Sequence, residues 1–461
     1  MKETFTVPLS KANTIQEQLD YLVYDEKYEL DLKNLNILQF HGSSDYDDLC
    51  MGARNLNGAK TAVPVKKMKQ SRAVEIVWCA ALVASQVLAL ILLGISTFQL
   101  NCSNRDMKET TVGNPNVTWT TNKGHILLNG KQLVLKGINY FGFEREESAP
   151  HGLSRQSLDF VLDFMEENDF NAVRLHFSIE MVQKNPKTNV DCKSNKDICH
   201  LRALELMEAV IDRCAERGIL VVLVCTQLES GSNYNTPNGL WYDDENPMYT
   251  EEKVLEAWDV LMDRVKTKWN LFALDVLDQP RHAASWRANN LERNFNGYSG
   301  RFVTHISSKH AEFKGFFFVE GVNKNGAFEG EDLMGESNFP KNMPSYWEKF
   351  YGFITTTRNN PVIVGSWGGK FQKGTLDETW HNAFTSWLQD KCLTNQFYFC
   401  LNGPTISPFG EPLLSDSGIP NRRKLDLLKK LQPHPTRLRY FASTSKLCIT
   451  SGRFPNEECN L

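Results

Sequence analysis

The residues of this chain that could do chemistry lie mostly where short apolar runs end. Asp278 and Gln279 follow LFALDVL, Glu320 follows FFFV, and Ser366 follows PVIVG. A carboxylic acid can serve as a general acid or base, whereas a serine becomes a good nucleophile only beside a base. The sequence positions no histidine motif that would activate Ser366. Asp278 and Glu320, together with Glu144 after GINYFGF, are therefore either replacement acids or structural carboxylates, and we favour the structural role.

These run ends belong to repeated strand and helix units. From about residue 120 the chain alternates short apolar runs with amphipathic stretches such as LDFVLDFMEEND, and HILLNGKQLVLKG reads as a hairpin with Asn129-Gly130 at its turn. The strand-like runs cover residues 135–144, 171–178, 219–226, 271–280, 316–321, 361–369 and 397–402. Continuous apolar strands alternating with helices predict a parallel sheet covered by helices.

The length of this region indicates which parallel fold to expect. Roughly 310 residues of such units suit an α/β fold of the (β/α)₈ TIM type, which needs about 250 residues plus insertions. We find seven strand-like runs rather than eight, so the sixth strand is expected to be absent or degenerate. In such a barrel the chemistry lies at the C-terminal ends of the strands, where the residues named above occur.

Those strand ends, taken in order, resemble glycoside hydrolase family 5, the endoglucanase-type cellulases and their relatives. The resemblance covers about residues 120–435 and rests on the motifs GINYFGFE, NAVRLHFS, NLFALDVLDQP, FVEGV, FPKNMPSYW, PVIVGSWGGK and FYFCLN. It implies a retaining barrel hydrolase of β-linked glycans. The family's acid/base glutamate ends strand four in an Asn-Glu-Pro motif, and its nucleophile ends strand seven in a Gly-Glu-aromatic-Gly motif. Retention requires these two carboxyl groups to lie about 5–5.5 Å apart.

The sequence departs from the family at both catalytic positions. Gln279 stands at the acid/base position, and an amide cannot donate a proton to a leaving alkoxide. Ser366 stands at the nucleophile position and has no adjacent base. Further departures follow. The family's His-Arg after strand three is replaced by Thr226-Gln227, and a Ser-Asp-Ser sequence at 415–417 replaces the usual aromatic platform.

The sixth strand is the largest departure. Members of the family carry a Pro-His-x-Tyr strand between the Val-Glu-Gly of strand five and the Phe-Pro-x-Asn-Met-Pro segment. Here Val322 and Phe339 are only 17 positions apart, and nothing between them has that pattern. The short interval reflects either a real loss or an exon missing from the sequence, which transcript sequencing would distinguish.

The residues that survive from the family pattern are mostly architectural. The substrate-binding candidates implied by the resemblance are Arg174, Tyr140, Trp241, Trp286, Trp367 and Asn402. Arg174 orients a carboxylate or a sugar hydroxyl, or it is a buried arginine in an ion pair. The tryptophans stack on sugar rings or belong to the core. We therefore expect a catalytically inactive relative with at most weak binding of a β-linked glycan or a scaffold or receptor role. The alternative is an active retaining β-glycosidase that uses non-standard residues.

A membrane segment is expected ahead of this domain. Residues 76–98, IVWCAALVASQVLALILLGISTF, form an uncharged and mostly apolar run. A helix of that length spans roughly 35 Å, enough to cross a bilayer. The run begins too far from the N-terminus for a cleaved signal peptide. The basic cluster Lys66, Lys67, Lys69 and Arg72 precedes it, which predicts a signal-anchor with a cytosolic N-terminus and an extracellular or lumenal barrel.

The domain organisation follows from these assignments. We expect a cytosolic tail at 1–73, acidic and then basic, that is disordered or forms a short partner helix; no feature identifies its partner. A transmembrane helix at 74–98, a linker at 99–119, the barrel at 120–435 and a C-terminal tail with a small disulfide loop at 436–461 complete the chain. The formal net charge of −4, with 51 basic side chains, creates no global field that would attract nucleic acid.

The cysteines on the oxidising side of the membrane suggest local cross-links. Three pairs are separated by short polar or turn-like stretches, and these are Cys192/Cys199, Cys392/Cys400 and Cys448/Cys459. Cys214 and Cys225 lie in helix-like and strand-like contexts and are expected to be buried thiols. No repeated CxxC motif supports a structural zinc site, and no cofactor motif is present. Asn116, in an Asn-Val-Thr sequon, is the expected glycosylation site.

Overall fold

A computed structural model of the chain describes residues 115–231, 239–286, 290–322, 334–358, 361–403 and 412–460. The predicted cytosolic tail, transmembrane segment and most of the linker lie outside these residues. Among the helices that the structure describes, none is both long enough and apolar enough to cross a bilayer.

The described strands fall into three sheets. They are β1 (Trp119–Asn122), β2 (His125–Leu128), β3 (Lys131–Gln132), β4 (Lys136–Phe143), β5 (Ala172–Ser178), β6 (Leu220–Gln227), β7 (Leu271–Asp275), β8 (Phe316–Phe318), β9 (Val364–Trp367), β10 (Gln396–Tyr398), β11 (Arg437–Phe441) and β12 (Lys446–Thr450). The described α-helices are α1 (Leu158–Glu167), α2 (Ile179–Lys184), α3 (Ala203–Glu216), α4 (Glu251–Val265), α5 (Phe295–Lys309), α6 (Met343–Trp347), α7 (Phe353–Arg358), α8 (Leu376–Asp390) and α9 (Arg422–Leu431). A π-helical turn, Glu348–Gly352, joins α6 to α7, and Ala442–Thr444 and Glu457–Cys459 are short 3₁₀ turns.

All seven predicted strand-like runs enter one parallel sheet. Its order is β8-β7-β6-β5-β4-β10-β9, so β4 pairs with β10 and curls the sheet towards a barrel. In the described part of the chain no strand lies between β8 and β9, which are the two edges of the sheet. We call these two edge strands the seam. The seam falls where the sequence predicted a missing or degenerate sixth strand.

Burial differs along the sheet. Every residue of β4, β5, β6 and β7 is buried, because each of these strands has neighbours on both sides and helices over its outer face. All three phenylalanines of β8 are only half-buried, and so are the first three residues of β9. The seam is therefore the least protected part of the sheet.

Two apolar layers hold the sheet. On β5, Val173, Leu175 and Phe177 face the layer formed with the helices. Ala172 belongs to the inner layer, which Phe272 and Phe397 also fill. Side chains of a strand alternate between faces, so Arg174 and His176 follow Ala172 on the inner face. The alternation along β5 thus places the polar side chains of Arg174 and His176 inside the mouth of the barrel.

One glycine allows the close approach of β4 and β10. A Cβ atom added at Gly137 would lie 2.3 Å from Cδ1 of Phe397 and 2.6 Å from the carbonyl oxygen of Gln396. Such a contact is impossible without moving β10, so any larger residue at Gly137 would disturb this strand pair.

Hairpins occur before and after the barrel. Asn129 and Gly130 both have positive φ angles, 49° and 76°, as a two-residue turn between β2 and β3 requires, so the predicted hairpin is confirmed. In the C-terminal tail, β11 pairs antiparallel with β12. The inner face of this second hairpin, with Leu438 and Leu447, packs on the inner apolar layer.

The disulfides agree only in part with the predicted pairs. Cys192 and Cys199 are joined as predicted. The predicted pairs Cys392/Cys400 and Cys448/Cys459 are wrong, because Cys392 is bonded to Cys459. Cys392 follows α8, and the chain then enters β10 and passes the half-buried Cys400 just beyond it, whereas the C-terminal segment returns to Cys392. The tail is thus a hairpin tied to α8 rather than a small disulfide loop.

Candidate functional site

Arg174 is the centre of the polar cluster at the barrel mouth. Its guanidinium is wholly buried, and one nitrogen, Nη2, donates to three carboxylates. The distances from Nη2 are 2.6 Å to Asp275 Oδ2, 3.1 Å to Asp278 Oδ1 and 2.8 Å to Glu320 Oε1. Of the two roles expected for Arg174, the structure contains the buried ion pair, with partners at the ends of β7 and β8.

The other guanidinium nitrogen reaches the seam. Arg174 Nη1 donates to the carbonyl oxygen of Gly365 on β9 at 2.6 Å and to Asn139 Oδ1 at 3.0 Å. Asn139 Nδ2 also donates to the carbonyl oxygen of Gly365, at 3.1 Å. Arg174 therefore links β9 on one edge of the sheet with Glu320, just beyond β8 on the other edge.

A neutral histidine supports this network. His176 Nε2 lies 2.9 Å from Asn139 Oδ1, and Nδ1 lies 2.8 Å from Thr226 Oγ1. The Asn139 oxygen can only accept, so Nε2 carries the proton and Nδ1 accepts from the threonine hydroxyl. Burial lowers the pKa of His176 to about 4, which keeps the ring uncharged at neutral pH. His176 positions Asn139 rather than transferring protons.

The carboxylates outnumber the cation. Burial, opposed in part by Arg174, raises the pKa of Asp275 to about 6. Desolvation and the neighbouring charges of Asp275 and Asp278 raise the pKa of Glu320 well above its ordinary range. Ionising all three carboxyl groups around one guanidinium has a high free-energy cost in a desolvated site, so the cluster retains protons.

Gln279 lies at the edge of this cluster. Its backbone N–H donates to Glu320 Oε2 at 2.9 Å, and its φ angle is +54°, in the left-handed region. The residue is exposed, unlike the buried Asp278 before it. The backbone of Gln279 thus fixes one oxygen of Glu320, while Arg174 holds the other.

Ser366 and Trp367 lie on β9, directly after the carbonyl that Arg174 contacts. Ser366 is half-buried. Trp367 is 6% exposed, and its Nε1 donates to Gln396 Oε1 at 2.7 Å. The ring packs edge-on against Tyr398, with centroids 5.0 Å apart. In this arrangement the Trp367 ring is part of the buried core rather than a surface for stacking on a sugar.

The other predicted binding residues divide into two groups. Tyr140 and Asn402 are buried beside each other, and Asn402 Nδ2 donates to the carbonyl oxygen of His151. Trp241 is buried and stacks on Tyr298 at 4.5 Å. Trp286 is 41% exposed and is the predicted tryptophan with an accessible ring.

Glu144 is a second buried acid at the mouth, at the end of β4. Its Oε2 accepts from the backbone N–H of Gly142 at 2.6 Å, and Arg145 Nε lies 3.6 Å from Oε1. Burial raises the pKa of Glu144 to about 7, against the effect of these contacts. The carboxyl is held by its own loop, as expected of a structural side chain.

Several residues of the site were not identified from the sequence. Asn139, His176 and Asp275 complete the network around Arg174. The alternation of Arg174 and His176 on an apolar strand was a usable signal for inward-facing polar side chains. Asp275 gave no such signal, since it is a single polar residue within the run LFALDVL.

Comparison with known proteins agrees with the resemblance in the sequence. No family model matches the chain. An endoglucanase of Paenibacillus polymyxa is 26% identical over 346 residues, covering 66% of this chain and 84% of the relative. The major extracellular endoglucanase of Xanthomonas campestris pv. campestris is 27% identical over 348 residues, covering 66% of this chain and 68% of the relative.

Solved structures give the same fold. The catalytic domain of the Xanthomonas enzyme superposes with a TM-score of 0.60 at 25% identity, over 68% of this chain and 99% of that domain. An endocellulase from Pyrococcus horikoshii, solved in complex with cellotetraose, gives 0.61 at 22% identity, over 70% and 100% of the two chains. The described residues therefore have a TIM-type α/β fold, and the chain resembles the cellulase domains of glycoside hydrolase family 5.

Proposed function

We propose that this protein is an inactive, membrane-anchored relative of the family 5 cellulases that retains at most glycan binding or a scaffold or receptor role. The observation that carries the proposal is the state of the carboxyl groups at the barrel mouth. The resemblance to the family assigns Gln279 and Ser366 to its two catalytic positions. Three carboxylates at the mouth, those of Asp275, Asp278 and Glu320, converge on Arg174 instead. A retaining hydrolase needs one protonated and one ionised carboxyl on opposite sides of the glycosidic bond.

Glycan binding has a more limited basis. The Pyrococcus endocellulase was solved with cellotetraose, so a β-linked glucan is the first ligand to test. Trp286 offers an exposed ring for stacking, whereas Trp241 and Trp367 are used within the core. We expect any binding to be weak and to depend on Trp286.

The decisive experiment measures hydrolysis and binding separately. The full-length chain in a neutral detergent is incubated with cellotetraose and with panels of β-glucans and mannans, while released reducing ends and bound ligand are quantified. We expect no hydrolysis. Trp286→Ala should reduce binding, whereas Leu291→Ala, which removes another exposed apolar side chain nearby in sequence, should not. Robust hydrolysis by the unmodified chain would overturn the proposal.

Restoring the two glutamates provides a second test. Gln279→Glu together with Ser366→Glu would add two carboxyl groups to a cluster that already has three for one guanidinium. We expect the double variant to remain at least about a thousandfold below a competent homologue, because pKa values must be set apart by surrounding groups. A fluoro-sugar that traps the nucleophile should fail to label position 366. Strong activity would mean that only two residues separate this chain from an enzyme.

An active glycosidase is the second candidate, and Glu320 favours it. Glu320 is 24% exposed at its side chain and has a raised pKa, as a general acid requires. Its two oxygens are, however, held by Arg174 and by the backbone of Gln279. If hydrolysis were found, Glu320→Gln should abolish it, with Glu336→Gln as the control.

The membrane location is part of the proposal and is supported by the sequence. Residues 76–98 have the length and composition of a spanning helix, and basic residues precede it. Protease added to intact cells should digest the barrel and leave a small tagged N-terminal fragment. If the protease reached residues 1–73 from outside, the orientation would be wrong.

A further inference from the structure

The end of α9 and the C-terminal hairpin that follows it carry a concentration of positive charge that the proposed function does not use. Residues 429–453 contain six lysines and arginines and no acidic residue, although the chain as a whole has a net charge of −4. We call the side chains Lys429, Lys430, Arg437, Arg439, Lys446 and Arg453 the hairpin cations. All six are exposed.

Three of these cations form a row on the outer face of the hairpin. The strand register pairs Arg437 with Thr450, Arg439 with Cys448, and Phe441 with Lys446. Residues two apart on a strand lie about 7 Å apart on the same face, so Arg437, Arg439 and Lys446 extend over about 14 Å. The inner face is apolar and holds the hairpin to the domain. The three cations therefore lie on the face opposite these apolar contacts.

The N-terminal hairpin extends the positive surface. Lys131 Nζ donates to the carbonyl oxygen of Ile449 on β12 at 2.9 Å, so the two hairpins are in contact. Residues 115–135 contribute Lys123 and Lys131 and no acid. Arg437 pairs with Asp169 at 2.6 Å, and Glu457 and Glu458 are exposed later in the chain.

We propose that the hairpin cations bind a linear acidic polysaccharide that carries sulfate or carboxylate groups. A row of cations matches the spaced anions of such a chain, and arginine binds planar or tetrahedral oxyanions through two parallel hydrogen bonds. None of the exposed large apolar side chains of the described residues lies within 420–460. Proteins that insert into a membrane interface use such side chains, so their absence from this surface favours a hydrated polyanion over a lipid bilayer.

The test uses a heparin decasaccharide as the probe and the full-length chain in neutral detergent. Binding is measured at 50, 100 and 200 mM salt. We expect the affinity to fall steeply with salt, since each neutralised anion releases a counterion. The triple variant Arg437→Gln, Arg439→Gln and Lys446→Gln should lose at least tenfold in affinity and about two units of the logarithmic salt slope.

Two further variants separate charge from folding. A control triple variant removes the same charge from exposed positions elsewhere, through Lys193→Gln, Lys196→Gln and Lys253→Gln. This variant should leave heparin binding within twofold. Arg437→Lys with Arg439→Lys keeps the charge, so it should preserve the salt slope while weakening binding. An equal loss in both triple variants would overturn the proposal, and so would tighter binding to phosphatidylserine vesicles than to heparin. Neutral dextran should not bind.

Discussion

The two sides of the sheet show how much protection a strand gains from its neighbours. β4 to β7 are wholly buried, each with a strand on both sides, whereas β8 and β9 at the seam are short and largely half-buried. The sequences of the two regions are similarly apolar. The difference therefore comes from the number of neighbouring strands rather than from composition.

At the seam, side-chain contacts connect β8 and β9, which do not pair with each other. Arg174 starts from β5 on the buried side and reaches both Gly365 on β9 and Glu320 beyond β8. Its contacts with Asp275 and Asp278 hold it from the end of β7. One buried arginine thus makes the two edges depend on each other, and the following changes test that dependence.

Removing Arg174 should have the largest effect. Arg174→Met leaves three carboxylates without a cation, and breaking a buried ion pair from one side costs about 3–5 kcal/mol. Urea unfolding followed by tryptophan fluorescence should show this loss. Adding Asp275→Asn and Glu320→Gln to the variant should recover part of it. A loss below about 1 kcal/mol would mean that Arg174 does not join the edges.

The same phenylalanine-to-alanine truncation should cost more unfolding free energy on the buried side of the sheet than at the seam. Phe272 on β7 is fully buried, so Phe272→Ala should cost about 3–5 kcal/mol. Phe317 on β8 is half-buried, and Phe317→Ala should cost about 1–2 kcal/mol, because less apolar area is lost. The same unfolding assay compares them. Similar costs would show that the seam is as well packed as the buried side.

The buried acids around Arg174 should make stability depend on pH. Asp275 and Glu320 have raised pKa values in the folded protein, so their contribution is fully present below the unfolded pKa of about 4 and is lost as pH rises through the folded values. Relative to Glu320→Gln, the parent protein should lose roughly 1 kcal/mol per pH unit between pH 4 and 6. Glu144→Gln is the control on the buried side, and its effect should extend to about pH 7.

The smallest effect is expected from a change at Ser366 on β9. Ser366 is half-buried, and Ser366→Ala should change the free energy of unfolding by less than about 0.5 kcal/mol. Thr226→Ala on the buried side removes the donor to His176 and should cost about 1 kcal/mol. If Ser366→Ala were the costlier change, the hydroxyl would have a role that these contacts do not reveal.

Local patterns in the sequence predicted the sheet better than its cross-links. The seven strands, the Asn129-Gly130 turn and the buried thiols of Cys214 and Cys225 follow from periodicity, turn chemistry and context, and the structure contains all of them. Pairing Cys392 with Cys459 requires knowing that two segments 67 positions apart meet, which spacing does not reveal. The fold of the site was predictable, but the partners of Arg174 depended on tertiary contact.

That bond also determines how the domain would bear a mechanical load. A pull on the C-terminus enters the domain at Cys459 and passes through the sulfur atoms to Cys392, at the end of α8. The segment between them contains β10, α9 and the hairpin β11–β12, and it carries no tension while the bond is intact. Reduction would reroute the force through the hairpin, whose antiparallel strands would then peel apart first. Single-molecule stretching with and without a reductant should therefore give different extensions before the barrel yields.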